Sequence, residues 1–411
     1  MPGRSSSDPE PVEPSGVRVV VVSHGPPMRG GITTVALDIV EDPLLNEEFE
    51  VVFLNTSQND DARGEFGIQN ILRAASHAFD TFRLARRGSV VHTHSVQHPV
   101  FVAWRQVAIA VAARLRGARV VLHNHGFLPY MTEPGGYTVN AAHRLAFRLL
   151  DLLASANVLI GDSGTANMRP LMPGIDLPVV HNSVVVNEIT PSSGVHEPPV
   201  LLFVGELLER KGLAVLLDAL DMLDGSGDHD YELRIVGDDT PGLDPAKDAM
   251  VAKIRERGRG TALTGSVPRS AVYELMGEAD IFVLPTEYEG QPFTIIESLA
   301  AGVPIVATDI PPIRSMLTEG ENASLVPWDD AEALASAIEA LLDDPQERRR
   351  ISRANRALAG QRFDRLVFRK QLADLYRMYG RPSRAVLRRQ CSCDAGHGQS
   401  QNREQHGGRT T

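Results

Sequence analysis

The stretch DIFVLPTEYEGQPFTIIESLAAGVPIVATD, residues 280–309, decides the fold. Its apolar run, residues 281–284, stops at Pro285; a polar loop carrying Glu287 and Glu289 follows, then a helix-like segment around Glu297 and a second apolar run, residues 303–307. Strand, acidic loop, helix and strand in that order predict a parallel unit whose loop lies at the carboxyl end of its sheet. Ligands of open parallel sheets bind at such ends, beside helix amino-termini. Glu289 and Glu297, eight positions apart, bracket this corner.

Outward from this unit, the same pattern repeats. Residues 17–23 (VRVVVVS) form a continuous apolar run, as expected of a strand buried on both faces. Further runs at 51–54, 90–91, 120–122, 158–160 and 179–180, with helical patterns between them, predict a doubly wound α/β domain over residues 17–187. Residues 188–199 gather Pro, Ser and Gly, lose periodicity and read as a linker. A second strand series at 200–204, 233–236, 262–263, 281–284 and 303–306 predicts a second doubly wound domain over residues 200–363. Helical patterns at 331–342, 346–358 and 366–379 close the ordered chain, the last expected to pack back toward the first domain as residues 364–380. Residues 1–16 read as a disordered leader and 381–411 as a disordered tail.

Two domains are the ordinary outcome for 411 residues. A formal net charge of -11 argues against a general nucleic-acid binder. The two cysteines, Cys391 and Cys393, fall in the tail, so no disulfide framework is expected and a reducing, cytoplasmic setting fits. With His397 they make at most a weak zinc pattern. The apolar segment 107–113 is too short to span a membrane, which takes roughly 18 residues. Trp104, Arg105, Arg114, Arg116 and Arg119 around it leave room for peripheral contact with the inner face of a membrane, against the plainer reading of a solvated helix face.

Several strand ends carry chemistry. Gly30 and Gly31 follow the first strand and open a helix, where backbone N–H groups can meet an anion; a tight turn alone is the competing reading. GELLERKG, residues 205–212, repeats the arrangement in the second domain and adds Arg210 and Lys211, cations suited to a diphosphate. Gly212 allows close backbone approach beside Lys211. His123 and His125 end a strand in VVLHNHGF, and His92 and His94 form a similar H-x-H pair with no carboxylate near in sequence, which speaks against metal there. Glu289 can accept hydrogen bonds from sugar hydroxyls and Glu297 from a ribose diol. Paired carboxylates also fit a glycoside hydrolase, which does not need the phosphate-type loops.

Together GGI near residue 31, VVHTHS, HNHG, FVGELLERKG, ELRIVGDD, LTGSVPRSAVYELMGEADIFVLP and EYEGQPFTIIESLAAGVPIVATD resemble the retaining glycosyltransferases of family 4, across residues 17–379. The resemblance implies the GT-B fold, two Rossmann-like domains facing across a crevice, with a UDP- or GDP-sugar donor held mainly by the second and a glycan, lipid-linked or small-molecule acceptor by the first. It implies transfer with retained anomeric configuration and no metal or other cofactor, serving cell-surface polysaccharide or glycoconjugate synthesis. By matched position, Lys211 would neutralise the diphosphate with Gly205 and Arg210 beside it, Glu297 would hold the ribose, and Glu289 would orient the transferred sugar. Gln291, Pro292, Phe293 and Thr294 would meet phosphate or sugar oxygens, Val267 would line the base, His125 would contact the donor sugar, and Gly30 and Gly31 would let the first domain close. Two positions depart from the family: Glu206 stands where arginine is usual, and Pro311-Pro312 where a Gly-Gly turn is common. Glu206 opposes a diphosphate unless it points away, and it motivates the alternative of a catalytically silent sugar-nucleotide-binding subunit.

Overall fold

The computed structural model describes residues 14–28, 30–57, 67–126, 139–194, 196–227, 229–242, 244–258 and 260–382. The chain divides into two units, Met1–Val158 with Met168–Pro178 and Gln371–Thr411, and Leu159–Asn167 with Val179–Lys370. Most of the expected leader and tail, including Cys391, Cys393 and His397, lies outside the described residues.

The first unit is built on β1 (Arg18–Ser23), β2 (Glu50–Asn55), β3 (Val90–Ser95), β4 (Arg119–Asn124) and β5 (Ala156–Leu159), in the order β2-β1-β3-β4-β5. β1 runs parallel to β2 and β3, and β3 parallel to β4. β3 is buried along its whole length, as a strand covered by helices on both faces must be. Helices Ile68–Leu84, Val100–Leu115 and Ala141–Leu153 connect the later strands. From Gln371 onward the helix Arg365–Tyr379 belongs to this unit. Tyr376 is fully buried and meets Phe49 edge-on at 5.4 Å, and Arg377 reaches Glu48 through two hydrogen bonds of 2.6 Å.

The second unit holds β6 (Val200–Val204), β7 (Glu232–Val236), β8 (Thr261–Leu263), β9 (Ile281–Leu284), β10 (Ile305–Thr308) and β11 (Ala323–Val326), ordered β11-β10-β9-β6-β7-β8. β6 and β9 are parallel neighbours at the centre, which brings the loops after both together at the carboxyl end of the sheet. One apolar core runs through this unit, from Val184 to Phe363.

The packing differs from the sequence reading at three places. The run at 179–180 forms a single parallel bridge, Leu159 to Val179, rather than a strand. β11 is an additional edge strand. The division between units falls before Val179, ahead of the expected boundary at 187, because Val184 exchanges backbone hydrogen bonds with Phe363 and Arg365 of the second unit. The Pro/Ser-rich segment after it is also tied down: buried Asp280 accepts from the backbone N–H groups of His196 and Val200 at 3.2 and 2.8 Å and pairs with the His196 ring at 2.9 Å. A buried carboxylate needs such partners. Among the described residues no helix is long and apolar enough to cross a membrane.

Candidate functional site

In the second unit the turn after β6 and the loop after β9 are stapled together. The Arg210 carbonyl accepts from Glu287 N at 2.8 Å and from Thr286 Oγ1 at 3.1 Å. Gly212 sits at φ +71°, and a Cβ there would lie 1.7 Å from the Pro285 carbonyl oxygen, so the two loops approach more closely than any side chain permits. This staple sets Lys211 Nζ against Glu289 Oε1 in an ion pair whose side chains are 13% and 12% exposed. Beside it Arg210 pairs with Glu206, four residues earlier, and lies over the Tyr288 ring at 5.1 Å. Glu206 is exposed and its charge is matched within its own loop. Gly205 leads into this turn with only ordinary contacts around it, whereas Gly237, after β7, is the sterically demanded glycine: a Cβ there would lie 2.4 Å from the Gly205 carbonyl oxygen.

Glu297 is on the nine-residue helix Phe293–Ala301, whose N-cap, Pro292, makes no side-chain cap hydrogen bond. The first N–H groups of a helix lack intrahelical acceptors, so this end, which carries Phe293 and Thr294, favours an anion. Glu297 itself is buried and accepts from Arg269 Nε at 3.0 Å. Burial pushes the Glu297 carboxyl up, and the nearby guanidinium offsets this only in part. Arg269, at the start of the helix Arg269–Gly277, also lies over the Phe293 ring at 4.8 Å. The sequence reading missed it, since an arginine at a helix start looks like surface charge; its place two residues after Val267 was the available signal. Val267 packs half-buried against the unit's core.

Gln291 has a second role. Its side-chain oxygen accepts from Asn182 N at 2.6 Å, its carbonyl from Asn182 Nδ2 at 3.0 Å, and its amide nitrogen lies 2.7 Å from His181 Nδ1. The side chain therefore anchors the site loop to the segment that opens the unit. Pro311 and Pro312 begin the short helix Pro311–Arg314, where the missing N–H of proline costs nothing.

In the first unit Gly30 is at φ +137° with nothing within 4 Å of a Cβ, and Gly31 opens the helix Gly31–Val40. His125 lies beyond β4, its Nε2 2.8 Å from His94 Nδ1. It ends a row. His94 and His123 are register partners on β3 and β4, and side chains two apart share a strand face. His92, His94, His123 and His125 consequently pack together with ring centroids 4.3–5.2 Å apart between neighbours, some pairs stacked and some tilted. His92 Nδ1 meets Tyr376 Oη at 2.8 Å. Burial drives His92 and His125 down to about 3, with His94 and His123 also well below the usual imidazole range. His92, His94 and His123 bring ligand atoms within 4.8 Å of one another, a juxtaposition across two strands that the H-x-H pair alone does not reveal. Thus Gly205, Arg210, Lys211 and Glu289 come together in the second unit, Glu297 meets Arg269, and His125 belongs to a separate histidine row in the first.

Two parallel-sheet α/β units of this topology, with glutamates at the carboxyl end of the second sheet, define the GT-B class of fold. Residues 186–358, within the second unit, match the family model for "Glycosyl transferases group 1". It is 35% identical over 211 residues to the phosphatidyl-myo-inositol mannosyltransferase of Mycobacterium leprae (strain TN), covering 49% of this chain and 54% of that protein. It is 27% identical over 193 residues to the alpha-D-kanosaminyltransferase of Streptomyces kanamyceticus, covering 47% and 49%. The chain thus spans about half the length of these curated relatives. The crystal structure of Anabaena Alr3699/HepE in complex with UDP and glucose shares the fold, with TM-score 0.67 and 18% identity over 87% of this chain and 99% of that one.

Proposed function

We propose that this protein transfers a sugar from a UDP- or GDP-linked donor to a glycan, lipid-linked or small-molecule acceptor, with retention at the anomeric carbon and without a metal. The observation that carries the proposal is the Lys211–Glu289 pair, held by the loops after β6 and β9. In this reading the pair holds both side chains ready: the diphosphate takes over the Lys211 ammonium, and sugar hydroxyls donate to the Glu289 carboxylate. As the bond from the anomeric carbon to the phosphate oxygen breaks, its electron pair passes to the departing nucleoside diphosphate. Lys211 and the N–H groups opening the helix Phe293–Ala301 stabilise that charge. The acceptor oxygen bonds to the same face of the sugar and gives up its proton to the leaving phosphate or to water.

Glu297 accepts the ribose hydroxyls while Arg269 shares its charge, Val267 lines the base, and His125 contacts the donor sugar as a neutral imidazole. Gln291 supplies its backbone N–H while its side chain holds the loop. Glu206 no longer argues for a silent subunit, since Arg210 balances it within the same turn. The names of a mannosyltransferase and a kanosaminyltransferase among the relatives, and UDP with glucose in a structure of the same fold, support this reading.

A nucleotide-sugar panel read by thermal shift is expected to pick out one donor, because a ligand bound only by the native state raises the unfolding midpoint. Nucleoside diphosphate release with that donor should be lost in Lys211→Ala and Glu289→Ala. A panel without any shift, or release that survives both substitutions, overturns the proposal.

A further inference from the structure

The helix Ile68–Leu84 is turned inside out. Its buried positions are Asn70, Ala74, His77 and Thr81, while Ile68 (79%), Ile71 (55%), Leu72 (64%), Phe79 (60%) and Phe82 (38%) are exposed. These five fall at i, i+3, i+4, i+11 and i+14, one face of the helix running about 21 Å at 1.5 Å per residue. Leu115, at the end of the helix Val100–Leu115 packed beside it, is 73% exposed. Apolar surface on this scale in one stripe marks an interaction site rather than ordinary scatter.

The charge around the stripe identifies the partner. Residues 67–126 contain eight arginines, no lysine and one acid, Asp80, in a chain whose net charge is -11. The Arg83 guanidinium lies over Phe79 at 5.9 Å and that of Arg116 over Phe82 at 4.9 Å, so cations rim the aromatic rings. Arg114 and Arg119 are exposed nearby in sequence, and exposed Arg86 is shared with Glu50 at 3.7 Å. Trp104 and Arg105 take no such part: Trp104 is half-buried, and burial lowers the Arg105 guanidinium.

We propose that this face docks on an anionic lipid bilayer, the helix Ile68–Leu84 lying in the plane of the interface. Its apolar side chains enter the boundary between headgroups and acyl chains, and the arginines bind lipid phosphates. A second copy meeting the same face through a two-fold axis would set arginines against arginines. A nucleic acid would leave the isoleucines, leucines and phenylalanines without an apolar partner. The surface lies within the first unit and does not depend on the donor chemistry of the second.

Sedimentation of the full chain with vesicles tests this. Vesicles of phosphatidylcholine with phosphatidylglycerol should carry the protein down at low salt, pure phosphatidylcholine should carry far less, and high salt should release it. Ile71→Gln with Leu72→Gln and Phe79→Gln should lower the partition coefficient at least tenfold at an unchanged unfolding midpoint. Arg83→Gln and Arg116→Gln should each lower it about fivefold. No sedimentation with anionic vesicles overturns the proposal. So does equal binding by the triple variant, or light scattering without lipid that shows the stripe holding a dimer which the triple variant dissociates.

Discussion

Gly212 and Gly30 occupy equivalent strand-to-helix turns yet answer to different constraints. At Gly212 both φ and space forbid a side chain, because the Pro285 carbonyl occupies the Cβ position. Gly212→Ala should therefore destabilise the second unit by about 3 kcal/mol or more, strain adding to overpacking, and it should loosen the Lys211–Glu289 pair. At Gly30 the space is open and only the backbone conformation resists, so Gly30→Ala should cost about 1–2 kcal/mol. Denaturant unfolding of the two variants checks the ranking, and equal losses would contradict it. Arg269 supplies a second case. Arg269→Met leaves the buried Glu297 carboxylate without its guanidinium, at a cost of about 1–3 kcal/mol near pH 8 given the partial exposure of Arg269. The carboxyl pKa, already raised by burial, rises further in the variant, so the native state binds a proton as pH falls and the deficit shrinks. Thermal unfolding at pH 8 and pH 5.5 reads this directly; a deficit independent of pH would remove Glu297 as its cause.

The last helix, Arg365–Tyr379, shows how one element is pinned. Tyr376 Oη is the partner of His92 Nδ1, while Tyr379 Oη bonds Asp176 Oδ2 at 2.7 Å at the exposed end. Tyr376→Phe should cost about 1–3 kcal/mol, since it orphans a buried nitrogen on a ring whose Nε2 has no partner among the described residues, and Tyr379→Phe less than about 1. Comparable losses would mean that the His92 contact is not what holds the helix. Elements of this kind were legible in the sequence to different degrees. β1, β6 and β9 announced themselves because strands buried on both faces are unbroken apolar runs. β11 did not: four residues, half of them only partly buried at a sheet edge, leave no run to see. Glu289 and the Lys211 turn were readable because each follows an unbroken apolar run, β9 and β6, within a short loop. The Arg269–Glu297 pair spans 28 residues and the histidine row two strands, and single-motif reading does not join such distances. Two H-x-H pairs on consecutive strands were nonetheless a usable sign, because parallel pairing with side chains alternating by two puts all four rings on one face.

At the scale of the whole molecule, titration is uneven. His24, His77, His92, His94, His123 and His125 all belong to the first unit and all are held below the usual imidazole range by burial first; His24 and His77 fall to about 4. Unfolding releases them to an ordinary value of about 6.5. Between that pH and about 3 the unfolded first unit binds more protons than the folded one. Its stability is therefore full above about pH 6.5 and falls as the solution is acidified, by up to about 1.4 kcal/mol per pH unit for each histidine. In the second unit His181 is lowered in the same direction, but the raised Glu297 carboxyl works against it, so acid strains that unit less. A window of pH 5–6.5 separates the effect from ordinary carboxylate titration. Hydrogen exchange corrected for its intrinsic pH dependence should show protection of β3 and β4 falling from pH 7 to pH 5 while β9 and β10 hold theirs. Two units with separate cores need not unfold together, so a single melting midpoint would blur the difference. Replacing His94 by Gln should flatten the pH dependence of β3 and β4 protection whatever it does to their absolute stability. Parallel loss in both sheets, or a slope unchanged in the variant, would show that the histidine row is not the source.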